Sequence, residues 1–63
     1  MGVFKQENLD HIESEGNVVT ELSDNYVEVE IGFGIDLHIL ETYLEYGLEY
    51  AGPGENGFVF KKV

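Results

Sequence analysis

Apolar and polar residues alternate from Val18 to Phe33, and period two predicts strands. Val18, Thr20 and Leu22 alternate with Val19 and Glu21. After Ser23-Asp24-Asn25, the residues Val27, Val29, Ile31 and Phe33 alternate with Tyr26, Glu28 and Glu30. Asp24-Asn25 predicts a two-residue hairpin turn, because both residues tolerate positive φ. That turn sets Leu22 opposite Val27, Thr20 opposite Val29 and Val18 opposite Ile31, so that all six share one face. The same register sets Glu21 opposite Glu28, a like-charge pair that destabilises. A loop one residue longer would break the face matching.

Gly32-Phe33-Gly34 ends the second strand, and Asp36 predicts a helix cap. On a wheel of 100° per residue, positions 37–51 sort into three stripes. Leu37, Leu40, Leu44, Leu48 and Ala51 form the first. His38, Glu41, Glu45 and Glu49 form the second. Ile39, Tyr43, Tyr46 and Tyr50 form the third, away from the leucines. Gly52-Pro53-Gly54 stops the helix. Gly47 costs a helix about 1 kcal/mol relative to Ala. It also offers an earlier stop, after which Leu48 to Ala51 would leave as an extended or irregular exit. Gly57 to Val63 then predicts a last strand with Phe58 and Phe60 on one face. Placed beside the first strand, it gives a sheet order of 2-1-3 with every neighbour antiparallel.

Residues 1–16 are patterned more weakly. Val3 and Phe4 suit the start of a strand. Leu9 and Ile12, spaced i, i+3 within Gln6 to Ser14, suit a short helix. A frayed end is the other reading, since termini fray unless tied down. The expected fold is a single α+β domain over 1–63. Its core at 17–63 is a small antiparallel three-stranded sheet with one covering helix (ββαβ), preceded by an N-terminal extension at 1–16. No internal repeat is visible.

Composition narrows what such a domain does. The 63 residues carry 13 Asp+Glu against 3 Lys+Arg, a formal charge of −10. That balance argues against direct binding of nucleic acid, whose phosphates need Lys and Arg. With no cysteine there are no disulfides and no thiolate metal sites. A chain of this size buries only about 60% of its unfolded surface, so its stability is marginal. No apolar run approaches the roughly 20 residues of a membrane span. No basic segment followed by an apolar one marks a signal peptide. A cytoplasmic location is expected, the host cytoplasm if the protein is viral. Despite its charge the chain is not of disordered type, because 43% of it is hydrophobic and its apolar residues are patterned.

Little here supports catalysis. Ser14 lies in a polar stretch and Ser23 in a turn. His11 and His38 are candidate bases, yet a lone His on a polar helix face is more often a solvated side chain. His38 with Glu41 or Glu45 shares a helix face at metal-ligand spacing, but a solvated acidic stripe explains it better. Gly52 to Gly57 is glycine-rich, but it lacks the lysine of a phosphate loop and follows a helix instead of preceding one. It is a turn. No enzyme, cofactor or metal is expected.

Two features stand out. A helix on one sheet needs one apolar face, so the second face of Ile39, Tyr43, Tyr46 and Tyr50 suggests a covering element. That element is either a partner, given the enrichment of Tyr in interface cores, or the N-terminal segment. Self-association through Tyr43, Tyr46 and Tyr50 into a symmetric homodimer is the expected assembly. The second feature is carboxylate spacing. Glu41, Glu45 and Glu49 step along a helix at about 6 Å, and Glu28 and Glu30 along a strand at about 6.8 Å. Successive phosphates of one DNA strand are about 6 to 7 Å apart. Any acidic domain shows such spacings, but the charge exceeds the roughly 2 to 8 that solubility needs, and self-repulsion costs stability. An excess with that cost suggests a basic partner.

The order of hairpin, acidic helix and final strand over Val18 to Val63 resembles the small acidic bacteriophage inhibitors of host proteins. These include DNA-mimic anti-restriction and anti-CRISPR proteins and inhibitors of host RNA polymerase. The resemblance is architectural and rests on no shared motif. It implies anti-defence or host takeover by an inhibitory interaction. The expected function is therefore a non-enzymatic inhibitor that occupies the nucleic-acid-binding surface of a basic host protein. Glu28, Glu30, His38, Glu41, Glu45 and Glu49 would engage that surface. The alternative is a structural or accessory subunit that binds through Ile39, Tyr43, Tyr46 and Tyr50.

Overall fold

The computed structural model describes residues 2–32 and 34–63. It is an α+β structure with two helices and four strands in the order α1 (Gln6–Ser14), β1 (Val18–Glu21), β2 (Tyr26–Glu30), α2 (Leu37–Glu45), β3 (Leu48–Pro53) and β4 (Phe58–Lys62). The sheet is wholly antiparallel with strand order β1-β2-β4-β3. The expected three strands and single helix are thus corrected to four and two. The last strand pairs with β2, not with the first strand.

Gly47 accounts for the extra strand. Its φ of +80° is the left-handed conformation that ends helices. Asp36 opens α2 as foreseen, its Oδ1 accepting the Ile39 N–H at 2.9 Å. The helix stops at Glu45, and Leu48, Glu49 and Tyr50 pass into β3. Of the two exits available at Gly47, the chain takes the early one. The N-terminal segment is no frayed end either. Leu9 and Ile12, the i, i+3 pair, are buried on the inner side of α1. Phe4 N–H donates to Val63 O at 3.1 Å, and Gly2 N–H donates to Leu44 O at 3.0 Å, so the stretch leading into α1 is tied to the body.

The β1–β2 hairpin forms, but one residue out of the expected register. Val19 faces Val29, Glu21 faces Val27 and Thr20 faces Glu28. The connection runs from Leu22 to Asn25, closed by the Leu22 N–H donating to Tyr26 O at 3.0 Å. The slip turns β1 over, as any one-residue shift must. Val19 now points at the core, while Val18 and Leu22 are 54% and 50% exposed. Two charge effects favour this register. It removes the Glu21–Glu28 pair, and it brings the Glu21 carboxylate to Lys62 Nζ at 2.8 Å. Phe33, expected on the face of Ile31, lies outside the described residues.

Both helices cover one side of the sheet. Leu9, Ile12, Val27, Val29, Tyr43, Leu48 and Phe60 make the core between them and the strands. Each fully buried aliphatic or aromatic side chain contributes about 2 kcal/mol. The side of α2 that enters this core is rotated from the expected leucine stripe towards the tyrosine stripe: Leu40 packs against the core together with Ile39 and Tyr46. Tyr43 is 5% exposed and packs on Phe60 at 4.9 Å between ring centroids, whereas Leu37 is 71% exposed. The three-stripe wheel gave weight to Leu48 and Ala51, which are not helical.

The chain also contains a structural repeat that its residues do not display. Adding 31 to a residue number maps the first helix–hairpin unit onto the second. Gln6–Ser14 becomes Leu37–Glu45, and the N-cap Lys5 becomes the N-cap Asp36. Gly16, with φ +94°, becomes Gly47, and the pair Val19–Val29 becomes Tyr50–Phe60. The central pair Glu28–Val59 maps onto itself, so a pseudo-twofold axis passes between β2 and β4.

Candidate functional site

The strands present two unlike surfaces. On the side without helices, Val18, Leu22 and Tyr26 are exposed in part, together with Glu30, Glu49 and Lys61. Glu49 stands opposite Lys61 across β3–β4. Glu28 also points to this side, but it is 8% exposed. Its Oε2 accepts the N–H groups of Asn56 and Gly57 at 2.7 and 2.8 Å and so fixes the β3–β4 turn. Glu28 therefore holds the fold together and is not free to meet a partner.

The helical side is strongly anionic and, among the described residues, Lys5 at the N-cap of α1 is its one cation beside the helices. Glu7, Asp10, Glu13 and Glu15 on and after α1, with Asp36, Glu41 and Glu45 at α2, are all exposed. Neither helix contains Lys or Arg. Among the described residues, the ion pairs are Glu21–Lys62 and a long His11–Glu15 contact of 3.7 Å. Hence the six residues expected to engage one basic surface divide between two surfaces. His38, Glu41 and Glu45 lie on the helical side, while Glu28, Glu30 and Glu49 lie on the opposite one. The α1 carboxylates were missed as site residues. The Leu9/Ile12 spacing was their only signal, because it predicts the helix that displays them.

The aromatic group divides as well. Ile39 and Tyr46 are half-buried, Tyr43 is buried, and Tyr50 lies on edge strand β3, 39% exposed. The N-terminal helix supplies part of their cover. Asn8 Nδ2 donates to Tyr46 O at 3.2 Å, and the His11 and Tyr46 rings meet edge-on at 5.9 Å. A dimer joined by Tyr43, Tyr46 and Tyr50 together would require Tyr43 to leave the core.

Between the C-terminal end of α1 and the start of α2 lies a groove of about 320 Å³. Ile31, Ile39 and Tyr43 line it, with Glu15, His38 and Thr42 also on its walls. Burial pushes the Tyr43 hydroxyl up to about 12, helped by the neighbouring charges of Glu15 and Tyr46. The phenol is neutral at pH 7, as an unshifted one would be, and able both to donate and to accept. No group of three or more His, Asp or Glu among the described residues is placed to hold a metal ion. No helix among them is long and apolar enough to cross a membrane.

Comparison with known proteins returns no matching family model, no matching curated protein and no matching solved structure.

Proposed function

We propose that the protein is a non-enzymatic inhibitor whose helical face occupies the nucleic-acid-binding surface of a basic protein. The observation that carries this reading is the helical layer itself. It holds two helices on one side of the sheet, and the helices with their caps carry seven exposed carboxylates against a single cation, Lys5 at the start of α1. Glu41 and Glu45 are one helical step apart, about 6 Å along the axis, which is close to the spacing of phosphates. A rigid support keeps these charges apart from their own neutralisation. The stability cost of their repulsion is recovered when a basic surface meets them. The cellular setting that fits such an inhibitor is host takeover or anti-defence by a bacteriophage, in the host cytoplasm.

A second reading is an accessory interaction subunit, favoured by the exposed Val18, Leu22 and Tyr26 on the side without helices. The Tyr-rich helix face cannot serve it while Tyr43 stays buried. The two readings separate by capture. Proteins retained from a host lysate should be nucleic-acid-binding proteins and should be displaced by added duplex. Retention that duplex does not disturb would count against mimicry and for the apolar sheet surface.

A further inference from the structure

We propose that the groove between α1 and α2 is a socket for one arginine side chain of the basic partner, which deepens the reading above and rests on it. The volume of about 320 Å³ is at the small end of ligand pockets. It suits a single side chain. Ile31, Ile39 and the Tyr43 ring offer an apolar bed for an aliphatic stem. Of the polar side chains on the walls, Asn17 donates to Ile12 O and Thr42 to His38 O. The acceptors offered to a guanidinium are Glu15 and Tyr43. Glu15 stands on the wall with its side chain 55% exposed, and its long contact of 3.7 Å to His11 Nε2 involves one carboxylate oxygen, Oε1. Tyr43 is 95% buried as a residue, given its 5% exposure, yet its hydroxyl is not sealed away from solvent and makes no hydrogen bond among the described residues.

An arginine matches this pair better than the other side chains. Guanidinium is planar, always charged and purely a donor, with five N–H groups arranged as a fork. One edge can meet the Glu15 carboxylate while another N–H reaches the Tyr43 oxygen. Lysine brings a compact, strongly hydrated head that fits a partly apolar bed less well. An apolar side chain would cover the Tyr43 hydroxyl without giving it a partner, at a cost. An anion would face Glu15 and the carboxylates of both helices.

The test needs no identified partner. N-acetyl-arginine methylamide is titrated into isotope-labelled protein, alongside the lysine analogue and the citrulline analogue, which keeps the shape of arginine without its charge. The expected result is a set of shifts centred on Ile31, Ile39, Thr42 and Tyr43, with citrulline about tenfold weaker. Glu15→Gln should weaken arginine binding to a similar degree while its own spectrum shows an intact fold. Equal binding of citrulline, or shifts scattered over all the carboxylates, would overturn the socket. The two claims also fail separately. Arginine seated in the groove of a protein that captures no basic partner sinks the inhibitor reading alone. A salt-sensitive partner indifferent to Glu15→Gln, with no shifts in the groove, sinks the socket alone.

Discussion

Glu28 stands directly opposite Val59 at the middle of the sheet, and the two are equivalent positions in the two helix–hairpin units. The equivalence is broken by what each side chain does. Val59 is a half-buried apolar residue, whereas Glu28 turns its carboxylate to the β3–β4 turn and accepts two backbone N–H groups. Glu28→Ala would leave both donors without their partner and is expected to cost about 2 kcal/mol. Glu28→Gln keeps one acceptor oxygen and should cost less than half as much. Denaturant unfolding measures both. Faster amide exchange at Asn56 and Gly57 would locate the loss, and an unchanged midpoint for Glu28→Ala would contradict it.

The two helix-ending glycines make a matched pair for mutation. Gly16 has open space where an added methyl group would stand, so Gly16→Ala carries only the backbone penalty of its φ of +94°, about 1 kcal/mol. Gly47 has a similar φ, but a Cβ there would overlap the Phe4 backbone nitrogen. Gly47→Ala should therefore cost more than about 3 kcal/mol and loosen the N-terminal segment. Equal losses at the two sites would show that Phe4 yields at no cost.

Tyr43 sets a dependence on alkaline pH. Its folded-state value of about 12 lies above the ordinary phenol value of 10.0, because burial first, and Glu15 and Tyr46 after it, disfavour the phenolate. A raised folded value means a stabilising contribution that is complete below about pH 10. It is lost as pH climbs towards about 12, on the order of 2 kcal/mol in all. Tyr43→Phe cannot ionise, so its unfolding free energy should fall less over that window than the wild type's. Parallel curves would assign the alkaline loss to other groups.

Much of the scaffold was legible in the residues. The hairpin follows from alternation, and α2 from Asp36 and its periodic leucines. The nine residues of α1 follow from Leu9 and Ile12, although such a short segment competes with fraying. What could not be read depends on neighbours distant in sequence. The hairpin register turns on whether Val18 or Val19 points inward. The terms that favour Val19 are the Lys62 contact to Glu21 and the separation of Glu21 from Glu28. The orientation of α2 depends on where the helix ends, and Gly47 is compatible with either outcome until the sheet requires a strand at Leu48. The split of the acidic residues between two surfaces follows from these same choices. Leu9 with Leu40, Gly16 with Gly47 and Asn25 with Asn56 are too few coincidences to reveal the repeat.

The most direct measurement is the salt dependence of affinity for a captured nucleic-acid-binding partner, made with two double variants. Glu41→Gln/Glu45→Gln neutralises the helical face, and Glu30→Gln/Glu49→Gln neutralises the opposite one. The wild type is expected to lose at least about tenfold in affinity between about 50 and 200 mM salt. The helical-face variant should bind more weakly at low salt and with a shallower slope, and the sheet-face variant should follow the wild type. A salt-independent affinity, or a loss confined to the sheet-face variant, would contradict mimicry by the helical layer.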